Sequence, residues 1–258
     1  FRWDSLNTFR LENMIKKIII LFKIARKIGS SDIIKIIDRT HRVPFFIKFF
    51  FSLVSLSFDR NKKTTDFKNN LSSTIQDLGT TFIKLGQFLA TRPDIIGEEL
   101  TKNLEKLQDK LPPFSKSLAE NIIQEELGEL TAKNIIEFSE PIAAASIAQV
   151  HKARINEANT IKDVAIKVLR PNIKEIFNSE IDAIMMLAYL IETFIPKTKR
   201  LKLIEVVFLF KEITNHEMDL RFEAAAANEY LENTKNDLGF NVPKIYWNFT
   251  SESVLTLD

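Results

Sequence analysis

Lys167 closes the apolar run Val164-Ala165-Ile166-Lys167. An ammonium on such a strand can pair with phosphate oxygens, or it can be a solvated edge charge. About twenty residues upstream, Ile142 leads into the small-residue segment Ala143-Ala144-Ala145-Ser146-Ile147-Ala148-Gln149-Val150. A phosphate-cradling loop ordinarily uses glycine there, because glycine tolerates φ > 0 and lets backbone N–H groups close on the anion. Alanine resists both, so this loop is expected to be stiffer; the competing reading is a small-residue strand packed under a helix. Lys84 and Gln87, three apart in Lys84-Leu85-Gly86-Gln87, share one helix face, which could be a solvated face. Gly86 within that helix costs ~1 kcal/mol relative to Ala, which suggests that another backbone approaches closely. A last group is acidic: Glu217, Asp219 and Glu223. Asp219 and Glu223 are i and i+4 on one expected helix, whereas Glu217 could simply pair with Arg221.

These residues need elements to hold them. Leu71, Ile75, Leu78, Phe82, Leu85 and Leu89 step by three and four, predicting a helix over 71–90 that Arg92-Pro93 ends. A second helix is expected from Gly97 to Lys110, before Pro112-Pro113. A third runs from a Ser115 cap to Gly128. From residue 134 the pattern turns β-branched. Residues 135–138, 147–153 and 163–169 read as three antiparallel strands, followed by helices over 173–194 and 201–232 and a hairpin from Val242–Phe249 and Ser253–Leu257.

Three strands, then a helix, then two strands is the order of the small lobe of a protein kinase, and Val164–Lys167 matches its third-strand lysine motif. Aligned on G-x-G-x-x-G-x-V, the three glycine positions are Ala143, Ala145 and Ala148, and the valine is Val150. The chain resembles the UbiB family of atypical kinases, the aarF-domain kinase-like proteins. Its Lys84-Leu85-Gly86-Gln87, its alanine loop and its Glu217-Met218-Asp219 match the family's K-x-G-Q, alanine-rich and E-x-D marks, and Leu107-Gln108-Asp109 agrees as well. The resemblance covers about residues 65–258. It implies that the loop and Lys167 bind ATP, that Glu223 pairs with Lys167, and that the helix of Lys84 and Gln87 covers the nucleotide, with Glu217 and Asp219 reaching toward Lys84. It also implies Mg²⁺, an ATPase or small-molecule phosphotransferase activity, and a role in ubiquinone biosynthesis beside its enzymes or a lipid-like small molecule. A rival class is a non-catalytic kinase-like adaptor docked on a membrane or on lipid-modifying enzymes.

Composition narrows the choice further. The 258 residues contain no cysteine, which excludes disulfides and thiolate metal sites, and three well-separated histidines that make no metal pattern. Six glycines leave no room for a long glycine-rich loop. The net charge of +2 divides unevenly: residues 1–63 hold 14 Lys/Arg against 5 Asp/Glu, and residues 64–258 hold 22 against 29. A cationic amphipathic helix over 11–28 and a Phe-rich run over 43–58, too short at 16 residues for the ~20 of a spanning helix, suit an anionic membrane surface. No Arg- and aromatic-rich reading surface supports nucleic acid as a partner. The expected fold is α+β: a basic arm over 1–63, a helical extension over 64–133, and over 134–258 a kinase-like small lobe with an antiparallel sheet and an αC-like helix. No His-x-Asp-x-x-x-x-Asn or Asp-Phe-Gly occurs, so the large lobe with its phosphoryl-transfer and Mg²⁺ residues is expected to lie outside this sequence. The expected location is the cytoplasmic face of a bacterial inner membrane, or an organelle inner membrane.

Overall fold

A computed structural model describes residues 15, 18–23, 74–105, 107, 111–237, 239 and 241–258. Of the cationic helix expected over 11–28, Ile15 and residues 18–23 are described and are helical; the Phe-rich run 43–58 lies outside the described residues. The chain forms two compact units, one from Phe1–Gln108 with Glu175–Lys211, the other from Asp109–Lys174 with Glu212–Asp258.

In the first unit, residues 74–78 are helical, but Gly79 at φ 112° interrupts the chain and helix α1 starts anew at Thr80–Ala90. The uninterrupted helix expected over 71–90 is therefore corrected: apolar period carries across Gly79, whereas backbone conformation does not. Arg92-Pro93 ends α1 as expected, and two short helices follow, α2 (Pro93–Ile96) and α3 (Glu98–Leu104). The helix expected over 97–110 is thus shorter, its end set by the chain turning so that Leu104 and Leu107 are buried among Ile75, Leu89, Ala90, Ile96 and Leu100.

In the second unit, Ser115 Oγ accepts from Leu118 N–H to cap α4 (Lys116–Leu127), which stops at Gly128, φ 78°; one further turn, α5 (Glu129–Ala132), leads to the sheet. Strands β1 (Ile135–Ala144), β2 (Ala148–Glu157), β3 (Thr160–Leu169) and β4 (Val254–Leu257) form one antiparallel sheet in that order. The first three are the expected strands, each extended toward its turn. Ala158 and Asn159, at φ 49° and 63°, make the tight two-residue connection between β2 and β3. On one face of the sheet Ala153, Ile155, Val164, Ile166, Val168 and Val254 pack with Ala119 and Ile123 of α4, leaving odd-numbered β3 residues, Lys167 among them, on the other.

Helix α6 (Ile173–Phe194) forms as expected. A 3₁₀ turn (Pro196–Leu201) leads to α7 (Leu203–Glu217) and α8 (Leu220–Thr234). The single helix expected over 201–232 is therefore corrected to two. Asp219 is extended at φ −122°, and the N–H of Leu220 donates to Glu252 O at 2.9 Å, a tertiary partner that periodicity cannot reveal. The expected strand 242–249 also changes. Pro243 lacks a donor, only Ile245 bridges to Leu257, and Trp247–Phe249 is a 3₁₀ turn that buries Phe249.

Candidate nucleotide site

Lys167 pairs in register with Val150 on β2 and with Leu255 on β4, so its side chain rises from the middle of the sheet. The period of two that buries Val164, Ile166 and Val168 against α4 sends Lys167 to the opposite face. There its Nζ donates to Glu223 Oε2 at 2.6 Å. Glu223 lies in the first turn of α8, where a carboxylate also suits the positive end of the helix. The Lys167 side chain is about a quarter exposed and that of Glu223 about half, so the pair is open to a ligand. Its value lies in fixing the direction of the ammonium more than in stability.

What sets the position of Glu223 is the break before α8. Asp219 caps that helix: its carboxylate accepts from Arg221 N–H at 3.1 Å, from Nε at 2.9 Å and from Nη2 at 2.7 Å. The Arg221 guanidinium holds Asp219 below the usual carboxylate range, against a smaller upward push from burial. Arg221 thus pairs with Asp219 and not, as i,i+4 spacing allowed, with Glu217. Asp219 and Glu223 do not share a helical face as expected, since Asp219 precedes the helix. Lys174 forms an ion pair with Glu252, whose carbonyl receives the first N–H of α8, so the helix start is tied to the loop before β4.

The alanine segment closes a tight hairpin. Ala143 and Ala144 end β1 opposite Val150 and Gln149, Ala145 N–H donates to Ala148 O at 2.8 Å, and Ile142 is exposed on β1. Every residue from Ala143 to Ala148 has a negative φ, so the turn needs none of the freedom that glycine supplies. Ser146, Ile147, Ala148 and Gln149 are buried. Ala143, Ala144 and Ala148 are strand residues, and Ala145 to Ile147 form the short turn between them. Arg170, not singled out by the sequence reading, binds the turn at Ala145 O, and the buried Gln149 side chain reaches Phe114. Arg170 was missed because no spacing rule links it to residues 25 and 58 positions away.

Lys84 and Gln87 lie half-buried on α1 of the first unit, and Glu217, Asp219 and Glu223 lie in the second. Gly86 is buried, and a Cβ built there would come within 2.5 Å of Leu107 Cδ1. The close neighbour is thus a side chain, where the sequence suggested a backbone. Among the described residues no group of three or more His, Asp or Glu side chains is placed to hold a metal ion.

Residues 106–258 match the ABC1 atypical kinase-like domain. A probable protein kinase UbiB of Marinobacter nauticus is 35% identical over 191 residues, 74% of this chain and 34% of that protein. Its counterpart of Pseudomonas aeruginosa is 38% identical over 185 residues, 71% of this chain and 34% of that one. That of Azotobacter vinelandii is 36% identical over the same share of each. The chain spans about a third of the length of these curated relatives.

Proposed function

Because the chain belongs to the ABC1 family of atypical kinase-like proteins, we propose that it is the ATP-covering part of a UbiB-type kinase or ATPase supporting ubiquinone biosynthesis at a membrane. The observation that carries this reading is the Lys167–Glu223 pair at 2.6 Å, two residues along the ladder from the end of the alanine hairpin. In a kinase small lobe such a pair aims the ammonium at the nucleotide phosphates, and the turn between the first two strands covers them. The residues present fit ATP in this respect: a directed cation, an adjoining hairpin tip, and an open face. Bound ATP would supply the phosphoryl group. Lys167 would neutralise phosphate charge, Glu223 would keep Lys167 from swinging away, and the hairpin 143–148 would limit water access. Mg²⁺ would be held by ligands of the large lobe that the family resemblance implies, together with the nucleotide phosphates. Ubiquinone-biosynthesis enzymes or a lipid-like small molecule are the partners this reading suggests.

Equilibrium titration with ATP and ADP in the presence of Mg²⁺ tests the reading. Lys167→Met removes a charged hydrogen-bond donor, ordinarily worth ~1.5–3 kcal/mol, so affinity should fall by about tenfold or more. Glu223→Gln should fall less, because the lysine remains. Equal affinity of Lys167→Met and wild type would rule out this site.

A further inference from the structure

Arg170 directly follows β3, three positions beyond Lys167, and its guanidinium donates four hydrogen bonds to two backbone carbonyls. Nε and Nη2 donate to Ala145 O at 3.1 and 2.8 Å, while Nη1 and Nη2 both donate to Pro112 O at 3.1 Å. Its own N–H donates to Ile147 O at 2.8 Å. One residue therefore holds the hairpin tip at two carbonyls and joins it to the chain entering α4. The guanidinium carbon also lies 5.9 Å from the centre of the Phe114 ring.

Gln149, fully buried on β2, does the same for Phe114. It accepts from Phe114 N–H at 2.9 Å and donates to Phe114 O at 3.2 Å. Pro112 is thus gripped from the end of β3 and Phe114 from β2. A surface brace would not require a fork that satisfies two carbonyls at once and a primary amide that reads both polar groups of one peptide residue. A carboxylate could do neither, and a lysine presents its three donors from one point and not from a fixed planar fork. Where glycine would leave the loop free to close on an anion, this bracket leaves it one position.

We propose that Arg170, together with Gln149, is a positioning residue that locks the alanine hairpin onto the Pro112–Phe114 segment and so sets its affinity for nucleotide phosphates. The proposal rests on the nucleotide reading above. Arg170 does its work through the carbonyls of Ala145, Ile147 and Pro112.

Arg170→Lys in the full chain separates these roles, since it keeps the positive charge and loses the fork. Three measurements are read together: amide hydrogen exchange of residues 143–149, exchange of the β3 interior, and ATP and ADP affinity. Exchange in 143–149 should accelerate about tenfold while β3 stays protected. Affinity for ATP should fall about fivefold, with a changed ratio of ATP to ADP binding. Gln149→Met, which removes both contacts to Phe114 without adding charge, should move the same readouts in the same direction and serves if the Arg170 variant does not fold. Wild-type exchange and affinity in the two variants would overturn the proposal. So would faster loop exchange with unchanged affinity, because the bracket would then be structural only. A wild-type chain that binds neither nucleotide overturns the underlying reading and this role with it, an outcome distinct from variants that merely fail to differ.

Discussion

His151 carries the clearest consequence of burial for a single side chain. It is fully buried on β2, its Nδ1 lies 2.8 Å from Ser139 O, its Nε2 lies 2.9 Å from Gln149 Nε2, and its ring stacks on Phe138 at 4.2 Å. A neutral ring that donates through Nδ1 to the carbonyl and accepts at Nε2 from the amide satisfies both contacts. Burial pushes its pKa below the ordinary histidine value. The Ser139 carbonyl and the carboxylates of Glu140 and Glu120 oppose that push, and Lys116 adds to it. The unfolded chain therefore binds a proton more readily than the folded one. Stability from this group is complete above the unfolded value, ~6.5, and is lost as pH falls below it. Urea midpoints measured at about pH 7.5 and about pH 5.5 should drop more for wild type than for His151→Gln. An identical drop in both proteins would place the pH dependence on other groups. Glu180, pushed upward by burial, works in the opposite direction and is common to both proteins.

Among the elements, α1 shows how a helix can be built around one missing side chain. Gly86 is worth about 1 kcal/mol less than Ala to the helix itself, yet a Cβ there would sit 2.5 Å from Leu107 Cδ1. Leu107 is buried beside Leu104, so shifting its side chain to admit a Cβ disturbs that packing. Overpacking costs ~1–3 kcal/mol, which outweighs the propensity gain, so Gly86→Ala should destabilise by about 1 kcal/mol. In a Leu107→Ala background the obstacle is gone, and the same change should become neutral or stabilising by up to ~1 kcal/mol. Denaturation of the four proteins of this cycle checks the argument; additive effects would mean that Gly86 and Leu107 are not coupled.

For the molecule as a whole, charge separates the amino-terminal residues from the rest: net +9 over residues 1–63 and net −7 over residues 64–258. Ile15, Ile18, Ile19 and Phe22 are each about half exposed on helical residues, an apolar surface close in sequence to Lys16, Lys17, Lys23 and Lys27. Among the described residues no helix is long and apolar enough to cross a membrane. Contact with a bilayer through this region would therefore combine apolar insertion with attraction to anionic lipid. The protein should float with anionic vesicles at low salt and less at about 1 M salt, where the screening length falls to ~3 Å. Changing Lys16, Lys17, Lys23 and Lys27 to Glu should abolish most of that flotation. Undiminished flotation of the variant on anionic vesicles would remove charge from the account.

Local composition and punctuation determined most of the elements: the β-branched segments that form β1 to β3, the uninterrupted α6, and α4 between its Ser115 cap and Gly128. The family resemblance, and not periodicity, paired Lys167 with Glu223, which 56 residues separate. Tertiary structure decided the points at which a local preference met a distant partner. Glu252 O captures the N–H of Leu220 and splits one expected helix into α7 and α8, turning Asp219 from a helical neighbour of Glu223 into the cap that positions it. Leu107 fills the space at Gly86. Arg170 and Gln149 reach Pro112 and Phe114, and neither contact has a local spacing to announce it. Local patterns report which groups a segment must bury or expose, whereas a hydrogen bond between distant segments depends on where the finished fold brings a donor and an acceptor together.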